Sequence, residues 1–424
     1  MNKSKVVIIG GGFGGLTVAK KLKSANQDIL LIDKTNHHLF QPLLYQVASA
    51  ALSPGEIAVP IREILRKQKN ATVIMGDVAR IDKKLKQIIL VSGDSLPYDY
   101  LVVATGARHS YFGNNAWEQF APGLKTLSDA LNIREEILLS FEKAERFEKL
   151  PQNSKYLNFV VIGGGPTGVE MAGAIAEVAY KTMFQNFRRI NPAQSKIFLV
   201  EAAPHILPMF PEELSLRAKK DLEEMGVNVI VGKKVTGITE EGVQVEDVFY
   251  PSTNVIWAAG NQASPLLKTL DVPLDRQGRV LVEPDLSIPG NPEIFVIGDA
   301  ACSIGKDGKP LPGIAPTAIQ QGKYVAKILK KQIPKQERTP FKYFDKGSMA
   351  TIGKAKAIAT VGNFKFTGLF AWLMWCFIHI VYLIGFRSRL TVMLEWSFFY
   401  LTGQRGARLI YGSIDSLLPH KTTK

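Results

Sequence analysis

The chain has 424 residues, of which 46% are apolar and 21% charged, and its formal net charge is +14. A chain of this length is too long for a single compact core and indicates two or three domains. The composition excludes a mainly disordered chain. The two cysteines, Cys302 and Cys376, form no C-x-x-C pair, so a disulfide framework, a cysteine zinc site and an iron–sulfur cluster are disfavoured, and we expect no metal. Two thiols suit a reducing compartment, and no secretory signal precedes the first apolar run, so we expect the catalytic part in the cytoplasm.

The first predicted elements form a β–turn–α–β pattern. Lys5–Ile9 is a β-branched run that predicts a strand, and the glycine-rich turn Gly10–Gly15 follows it. Leu16–Lys23 has helical periodicity, and Asp28–Asp33 predicts a second strand that ends in an acid. After a region with several turn signals, Tyr100–Gly106 predicts another buried strand. This order of elements is typical of a nucleotide-binding unit.

The same pattern begins again near the middle of the chain. Asn158–Ile162 predicts a strand, Gly163–Gly168 is a second glycine-rich turn, and Val169–Ala179 predicts a helix. Lys196–Glu201 predicts a strand that again ends in an acid, and Asn254–Gly260 resembles the earlier buried strand. The chain therefore contains an internal repeat of two nucleotide-binding units.

Three further elements complete the pattern. Leu127–Lys149 predicts a charged amphipathic helix between the two units, Glu293–Asp299 predicts a strand, and Thr317–Lys331 predicts a helix with a basic end. Repeated strand–helix alternation predicts parallel, doubly wound sheets. We therefore expect an α/β fold with two Rossmann-like dinucleotide-binding domains.

The first turn fits the pattern G-x-G-x-x-G at Gly10, Gly12 and Gly15. The first glycine allows the tight turn, the second lets backbone approach a pyrophosphate, and the third allows close packing of helix and strand. Asp33 follows Gly15 by 18 residues, where the acid that hydrogen-bonds a ribose is expected. The glycine pattern alone is a weak signal, but the strand, helix and acid around it make it specific.

The second turn repeats the pattern at Gly163, Gly165 and Gly168, and Glu201 ends the next strand. A ribose-binding acid favours the free 2′-hydroxyl of NAD and repels the 2′-phosphate of NADP. No arginine stands beside Glu201, so the sequence favours NADH over NADPH. The alternative is that Glu201 is only a solvated acid.

Two further motifs carry a resemblance to a known superfamily. The strand end Ala104-Thr105-Gly106 and the later Ile297–Ala300, together with the two turns, are similar to the flavin-dependent pyridine-nucleotide oxidoreductases. The resemblance implies that the first unit binds FAD non-covalently and that the second, inserted unit binds the nicotinamide dinucleotide. It also implies that Asp299 contacts the ribityl and phosphate region of the flavin, the alternative being a strand-end cap.

Five segments narrow the resemblance to type II NADH dehydrogenases: His37–Tyr45, Gly163–Glu170, Val200–Pro204, Ala315–Gly322 and Trp372–Gly385. The resemblance covers nearly the whole chain. Members of that family are single-chain NADH:quinone oxidoreductases that pump no protons and bind one membrane face. The resemblance therefore implies hydride transfer from NADH to FAD and then two electrons to a membrane quinone.

The resemblance also assigns individual residues. Those implied to contact FAD are Gly10, Gly12, Phe13, Gly14, Gly15, Asp33, Lys34, Val78, Thr105, Gly106, Asp299 and Ala315. Those implied to bind NADH are Gly163, Gly165, Gly168 and Glu201. The implied catalytic residues are Glu170, near the nicotinamide and flavin in the family, and Gln320, on a helix near flavin and quinone.

Several of these assignments have alternatives. Glu170 also fits a helix N-terminal acid favoured by the helix dipole. Pro316 stands where many family members carry the first glutamine of the motif around Gln320. Tyr45 is interpreted first as a core or surface aromatic, and His38 as a capping histidine.

The cysteine count restricts the electron acceptor. Disulfide reductases of the superfamily place a redox-active cysteine pair beside the flavin, and sulfide:quinone oxidoreductases need several cysteines. Cys302 has no resolving partner in the sequence. Electrons are therefore predicted to leave directly to a diffusible acceptor.

The C-terminal region combines apolar and basic character. Residues 366–386 contain no Asp, Glu, Lys or Arg, and residues 335–424 carry 13 Lys/Arg and 4 Asp/Glu, a net charge of +9. As one helix, 366–386 would be about 31 Å long, enough to span a bilayer. Both flanks are basic, so we favour helices that lie on the bilayer surface and contact it through residues 366–408. A single transmembrane helix and a buried homodimer interface are the alternatives.

These observations lead to a domain prediction. We expect an FAD-binding domain at 1–112 and 280–335, a connecting helix at 113–149, an NADH-binding domain at 150–279 and a membrane-anchoring region at 336–424. The expected function is a membrane-associated NADH:quinone oxidoreductase on the cytoplasmic face, with no nucleic-acid partner. The alternatives are a soluble NAD(P)H-dependent reductase of a ferredoxin-like protein and a membrane-tethered NADH-binding adaptor that does not turn over.

Overall fold

The structure is a computed structural model, and it describes residues 3–147 and 153–411. The chain divides into two compact units. The first unit comprises Met1–Leu39, Ala58–Arg108 and Asn261–Lys346, and the second comprises Phe40–Ile57, His109–Gly260 and Gly347–Lys424. The domain boundaries given above stay a prediction. The predicted connecting helix and C-terminal region extend at residues 148–149 and 412–424 beyond the described residues.

The helices and strands have the following bounds. The α-helices are α1 (Phe13–Lys21), α2 (Leu44–Ala48), α3 (Pro54–Ile57), α4 (Ile61–Leu65), α5 (Leu127–Arg146), α6 (Pro166–Glu177), α7 (Glu212–Glu224), α8 (Ala315–Lys331), α9 (Gly368–Tyr382) and α10 (Phe386–Thr402). The first strands are β1 (Ser4–Ile9), β2 (Gln27–Asp33), β3 (His37–Leu39), β4 (Ala58–Pro60), β5 (Ala71–Met75), β6 (Val78–Asp82), β7 (Gln87–Leu90), β8 (Ser95–Pro97), β9 (Tyr100–Val103) and β10 (Ala107–His109). The later strands are β11 (Asn158–Ile162), β12 (Lys196–Glu201), β13 (Val227–Val231), β14 (Val235–Thr239), β15 (Gly242–Val245), β16 (Val248–Pro251), β17 (Asn254–Trp257), β18 (Asn261–Ala263), β19 (Val280–Leu281), β20 (Ser287–Ile288), β21 (Asn291–Val296), β22 (Ala301–Cys302), β23 (Ser348–Gly353), β24 (Lys356–Val361) and β25 (Phe364–Thr367).

The first unit is built on a six-stranded sheet in the order β20, β21, β9, β1, β2, β5. Apart from the antiparallel pair β20–β21, the neighbouring strands are parallel, with Ile9 paired to Ile32 and to Val103. Val7 and Ile8 point to opposite faces of the sheet and both are fully buried. The β-branched run of β1 is therefore explained by burial on two faces, as in doubly wound folds.

The second unit contains a four-stranded parallel sheet in the order β13, β12, β11, β17. Ile162 at the end of β11 pairs with Val200 and with Trp257, so the turn after β11 lies at the carboxyl edge of the sheet. The strand order and parallel pairing repeat the arrangement of the first unit. The predicted α/β fold with two Rossmann-like units is thus confirmed.

The C-terminal segment forms a three-stranded antiparallel sheet, β23–β24–β25, followed by α9 and α10. The apolar run 366–386 does not form one helix, because α9 begins after Thr367 and ends at Tyr382. Gly385, with a φ of +89°, separates α9 from α10. At 15 residues, α9 is about 22 Å long, shorter than the hydrocarbon core of a bilayer. Among the described residues, no helix is long and apolar enough to cross a membrane.

Candidate functional site

The first glycine-rich turn has no room for side chains at two of its three motif positions. Gly10 has a φ of +103°, and a Cβ atom there would lie 2.3 Å from the carbonyl oxygen of Ala104. A Cβ atom on Gly15 would lie 1.9 Å from the carbonyl oxygen of Gly10, so α1 packs directly against the turn. A Cβ atom on Gly12 would meet nothing within 4 Å. The turn therefore leaves space where a pyrophosphate approaches the backbone in such motifs.

Asp33 is bonded to this turn. Its Oδ2 accepts a hydrogen bond from the backbone N–H of Gly11 at 2.6 Å, and its Oδ1 accepts from the backbone N–H of Thr35 at 2.7 Å. The carboxylate is thus held at the end of β2, where a ribose-binding acid is expected. The next residue, Lys34, forms an ion pair with Asp77, with 3.0 Å between Nζ and Oδ2.

The first unit also brings together the other residues predicted to contact FAD, which are Phe13, Gly14, Val78, Thr105, Gly106, Asp299 and Ala315. In this unit the hydroxyl groups of Ser4 and Tyr98 are buried without a hydrogen-bond partner among the described residues, and so are those of Thr105 and Thr317 beside the predicted flavin contacts. Buried hydroxyls normally have partners, so the latter two fit a bound group with polar atoms. A Cβ atom on Gly313 would lie 3.2 Å from Oδ1 of Asp299, so the glycine leaves that carboxylate room.

Two neighbouring glutamines of α8 have different environments. Gln320 exchanges two hydrogen bonds with the backbone of Phe344, each 2.9 Å long. Gln321 is 1% exposed, and its Oε1 accepts from the backbone N–H of Gly298 at 2.7 Å. Gln321 therefore anchors the turn that carries Asp299. The sequence analysis named Gln320 on this helix and did not identify this contact of Gln321.

The second glycine-rich turn repeats the geometry of the first. Gly163 has a φ of +111°, and a Cβ atom there would lie 2.7 Å from the carbonyl carbon of Ala258. A Cβ atom on Gly168 would lie 1.8 Å from the carbonyl oxygen of Gly163. The position of Gly165 is open, with nothing within 4 Å of its ideal Cβ. The second turn therefore leaves the same open space at the N-terminus of α6, where a pyrophosphate approaches in such motifs.

Glu201 is bonded to the second turn through both carboxylate oxygens. Its Oε2 accepts from the backbone N–H of Gly164, and its Oε1 accepts from the backbone N–H of Ala203 at 2.7 Å. These bonds fix the acid at the end of β12. The carboxylate is thus bonded to backbone, and its contact with a ribose stays a prediction.

A narrow recess adjoins α6 in the second unit and has a free volume of about 30 Å³. We call it the α6 recess. Its polar lining consists mainly of Tyr45, Glu170, Glu177, Thr351, Tyr400 and Arg405. These residues come from α2, α6, β23, α10 and the segment after α10.

Glu170 lies in α6 and faces this recess. Burial raises the pKa of its carboxyl group well above the usual value, and a backbone hydrogen bond from Thr351 opposes that shift. Its carboxyl group therefore keeps a proton at a pH where an exposed glutamate has lost it. A shifted carboxyl group in a recess is typical of a functional site.

Glu177, at the end of α6, forms a buried ion pair with Arg405. The distance between Arg405 Nη2 and Glu177 Oε2 is 2.8 Å, and the arginine is 3% exposed. Arg405 also donates to the carbonyl and hydroxyl oxygens of Ser49, both at 2.6 Å, and the backbone N–H of Lys354 donates to Glu177. The sequence reasoning missed this pair, because its partners are 228 residues apart and share no motif.

Three side chains form a hydrogen-bonded series at the same recess. The indole Nε1 of Trp396 donates to Oε1 of Gln46 at 2.7 Å. Nε2 of Gln46 donates to the hydroxyl oxygen of Tyr45 at 2.9 Å. The series connects α10 to α2 and places an ordered phenol at the recess.

The helices α9 and α10 retain many exposed apolar side chains. The most exposed of them are Phe370, Phe377, Phe386, Leu394 and Leu401. Surfaces of this kind on an ordered helix pair mark a membrane or a partner. The tryptophans Trp375 and Trp396, by contrast, are buried.

The geometry first defines a class. Two Rossmann-like units, each with a glycine-rich turn closed by an acid, are typical of an oxidoreductase that uses two dinucleotides. The family model described as pyridine nucleotide-disulphide oxidoreductase matches residues 4–322. The model of the NDH2 C-terminal domain matches residues 346–405.

Individual relatives then narrow the class. The type II NADH:quinone oxidoreductase Ndh of Mycobacterium tuberculosis is 46% identical over 95% of this chain and 89% of the relative. The enzyme of the same name from Staphylococcus haemolyticus is 31% identical over 87% of this chain and 92% of the relative. The solved structure of NDH2 from Plasmodium falciparum in complex with NADH covers 96% of this chain and 99% of that chain, with a TM-score of 0.87 at 21% identity. The chain belongs to the type II NADH:quinone oxidoreductase family.

Membership confirms the predicted resemblance, enzyme class and cofactors. The chain is a flavoenzyme that uses FAD and NADH. As a member of this family it acts on a quinone. The roles of individual residues stay predictions at this point.

Proposed function

We propose that this chain oxidises NADH and reduces a membrane quinone by two electrons, without moving protons across the membrane. The observation that carries the proposal is the pair of nucleotide cradles on one chain, because the 46% identity to a type II NADH:quinone oxidoreductase extends across both. The two alternatives, reduction of a ferredoxin-like protein and an adaptor without turnover, have no comparable support.

The first unit would hold FAD, which when bound accepts a hydride from NADH and passes two electrons to the quinone. We assign the pyrophosphate to the open backbone at Gly12 and the N-terminus of α1, and a ribose to Asp33. Asp299 and the unpartnered hydroxyl of Thr105 supply polar atoms for the rest of the group. The remaining contacts assigned to FAD are Gly10, Phe13, Gly14, Gly15, Lys34, Val78, Gly106 and Ala315.

The second unit would hold NADH. Gly163, Gly165 and Gly168 form the cradle, and Glu201 would accept a hydrogen bond from the ribose hydroxyl. Because the carboxylate is fixed by two backbone N–H groups, it cannot turn away from a 2′-phosphate, and NADPH is disfavoured by charge repulsion.

We assign the catalytic role to Glu170 and a second one to Gln320. Glu170 supplies a carboxyl group that can hold or release a proton at the α6 recess. Gln320 has both polar groups bonded to Phe344, so we expect it to act only after that contact opens. The substitutions Glu170→Gln and Gln320→Leu test the two assignments by the turnover number with quinone.

We also propose that the protein binds the cytoplasmic membrane face through residues 366–408. Support comes from the exposed apolar side chains of α9 and α10. Co-sedimentation with anionic phospholipid vesicles tests the contact: Phe377→Glu and Phe386→Glu should release the protein. The matched control is Leu85→Glu, which changes an exposed leucine of the first unit and should not affect sedimentation. A homodimer stays a prediction that analytical ultracentrifugation in detergent tests.

The test of the function is steady-state NADH oxidation by the purified protein in vesicles. NADH loss at 340 nm should continue for many turnovers with a ubiquinone or menaquinone analogue, and NADPH should support a much lower rate. Oxidation of one NADH per protein followed by arrest would favour the adaptor. Turnover that requires a ferredoxin-like protein would favour the soluble reductase.

A further inference from the structure

The hydrogen-bonded series Trp396–Gln46–Tyr45 has a fixed direction. An indole N–H can only donate, so the atom of Gln46 that faces Trp396 must be the amide oxygen. The amide nitrogen of Gln46 then faces Tyr45 and donates to its hydroxyl oxygen at 2.9 Å. Trp396 thus decides which end of the Gln46 amide meets the phenol.

This direction decides where the proton of the Tyr45 hydroxyl points. A phenol carries one proton, which lies near the ring plane on one side of the oxygen or the other. Gln46 donates from one side, so the proton is directed away from Gln46. Among the described residues, no acceptor for this proton lies within hydrogen-bond distance. The side chain is 8% exposed and lines the α6 recess, so the donor faces the recess.

Burial is the main reason that the phenol stays protonated. Burial raises the pKa of Tyr45 well above 10, and the neighbouring Glu170 and Tyr400 raise it further. At neutral pH the hydroxyl is therefore a donor. A buried donor without an acceptor is destabilising, and a ligand that only accepts would recover that loss.

The lining of the recess combines aromatic walls with hydrogen-bonding groups, which suits the carbonyl edge of a quinone. Phe399 and Tyr400 supply aromatic walls, and the lining also includes Ala174 and Ile352. A quinone carbonyl is an acceptor without a proton of its own, so it matches a phenol whose proton points inward. The same recess contains Glu170, the residue with the catalytic assignment.

We propose that Tyr45 donates a hydrogen bond to a carbonyl oxygen of a quinone bound in the α6 recess, and that Gln46 and Trp396 are positioning residues that fix this bond. The inference rests on the proposed function and deepens it. It replaces the interpretation of Tyr45 as a core or surface aromatic.

The first test is Tyr45→Phe, measured as kcat and KM with decylubiquinone and as the Kd of decylubiquinone for the oxidised protein by calorimetry. Loss of one hydrogen bond should raise the quinone KM and Kd about tenfold while the KM for NADH stays the same. The matched control is Tyr411→Phe, which removes a hydroxyl from a tyrosine that is 73% exposed. An unchanged quinone KM and Kd in Tyr45→Phe, with an active parent protein, would overturn the proposal.

The second test concerns direction, which a merely structural role would not predict. In Gln46→Glu, an ionised carboxylate accepts from Trp396 with one oxygen and draws the Tyr45 proton toward the other, away from the recess. This variant should lose as much quinone affinity as Tyr45→Phe, and combining the two should add little. Trp396→Phe frees the Gln46 amide to turn and should cause a smaller loss. Additive losses would contradict the series.

The two proposals fail in different ways. A folded parent protein that binds FAD but reduces no quinone would sink the proposed function and this inference with it. A parent that turns over with quinone, beside a Tyr45→Phe variant with identical constants, would sink this inference alone. Flavin content and circular dichroism establish that each variant is folded.

Discussion

The two glycine-rich turns have the same backbone geometry, yet the helices that follow them differ. Seven residues after the first glycine, α1 carries Thr17 and α6 carries Glu170. The hydroxyl of Thr17 donates to the carbonyl oxygen of Phe13 within its own helix at 2.6 Å. A Cβ atom on Gly322 of α8 would lie 3.1 Å from Thr17, so this face of α1 is closely packed. Glu170 instead faces a recess.

The difference continues seven residues further on, just beyond the end of α1 and at the end of α6. Fourteen residues after the first glycine, the first unit has Ser24, which accepts a hydrogen bond from Lys330. The second unit has Glu177 in a buried ion pair with Arg405. The turn thus specifies a dinucleotide cradle in both units, and the positions along the following helix specify whether the unit also offers reactive groups.

The largest effect is expected from substitutions that disrupt the backbone geometry shared by the two turns. Gly15→Ala and Gly168→Ala each place a Cβ atom within 2 Å of a backbone oxygen, so each should cost more than about 4 kcal/mol locally. Gly15→Ala should abolish FAD retention, measured as flavin absorbance after gel filtration. Gly168→Ala should retain FAD and lose reduction by NADH. Equal loss of FAD in both variants would contradict the assignment of separate cradles.

The next effect concerns the buried ion pair between Glu177 and Arg405 in the second unit. Arg405→Leu leaves the Glu177 carboxylate buried without its cation and should lower the free energy of unfolding by about 3–5 kcal/mol. The double variant Arg405→Leu, Glu177→Leu should recover most of that loss in urea titrations. Arg62→Leu, at an exposed position of the first unit, is the control and should change stability by less than about 0.5 kcal/mol.

Replacing the acid by its amide in both turns sharpens the comparison. In Glu201→Gln, one of the two hydrogen bonds that the side chain accepts from backbone N–H groups is lost. The KM for NADH should rise about tenfold, and the preference for NADH over NADPH should decrease. Asp33→Asn should weaken FAD binding by a similar factor and leave that preference unchanged. The ratio of kcat/KM for NADH to kcat/KM for NADPH, measured in FAD-loaded samples, distinguishes the effects of the two substitutions. A change of this ratio in Asp33→Asn would argue against the assignment.

The smallest effect is a pH dependence. Folded Glu170 binds a proton above the pH at which the unfolded side chain loses it, near its usual pKa of 4.5. Stability should therefore fall as pH rises from that value through the raised pKa of the folded state, by at most about 1.4 kcal/mol per pH unit. Glu170→Gln should flatten this slope, and Glu240→Gln, at an exposed position, should not. Parallel slopes in the parent protein and Glu170→Gln would show that another group causes the dependence.

The cradles were predictable from sequence because their constraints are local. Gly10, Gly15, Gly163 and Gly168 stand where a Cβ atom would strike backbone, so their spacing, together with the flanking strand, helix and acid, identifies them. Asp33 and Glu201 end strands whose apolar runs are equally easy to recognise in the sequence. Helix starts were less accurate: α1 begins at Phe13 and α6 at Pro166, three residues before the predicted starts, because the glycines within the turns conceal the helical periodicity.

The lining of the α6 recess was not predictable in the same way. The bond from Trp396 to Gln46 joins residues 350 positions apart, and the pair Arg405–Glu177 joins residues 228 apart. Neither pair shares a spacing or a periodic face. The apolar run 366–386 left open whether the segment crosses the membrane or lies on it. Hydropathy alone does not show the turn at Gly385 that separates α9 from α10.

The central claim is that one chain takes a hydride from NADH and passes two electrons to a quinone. Anaerobic stopped-flow absorbance at the oxidised-flavin band of the detergent-solubilised protein tests it most directly. One equivalent of NADH should bleach the band, and a soluble quinone analogue added next should restore it rapidly. Bleaching that quinone does not reverse would contradict the account.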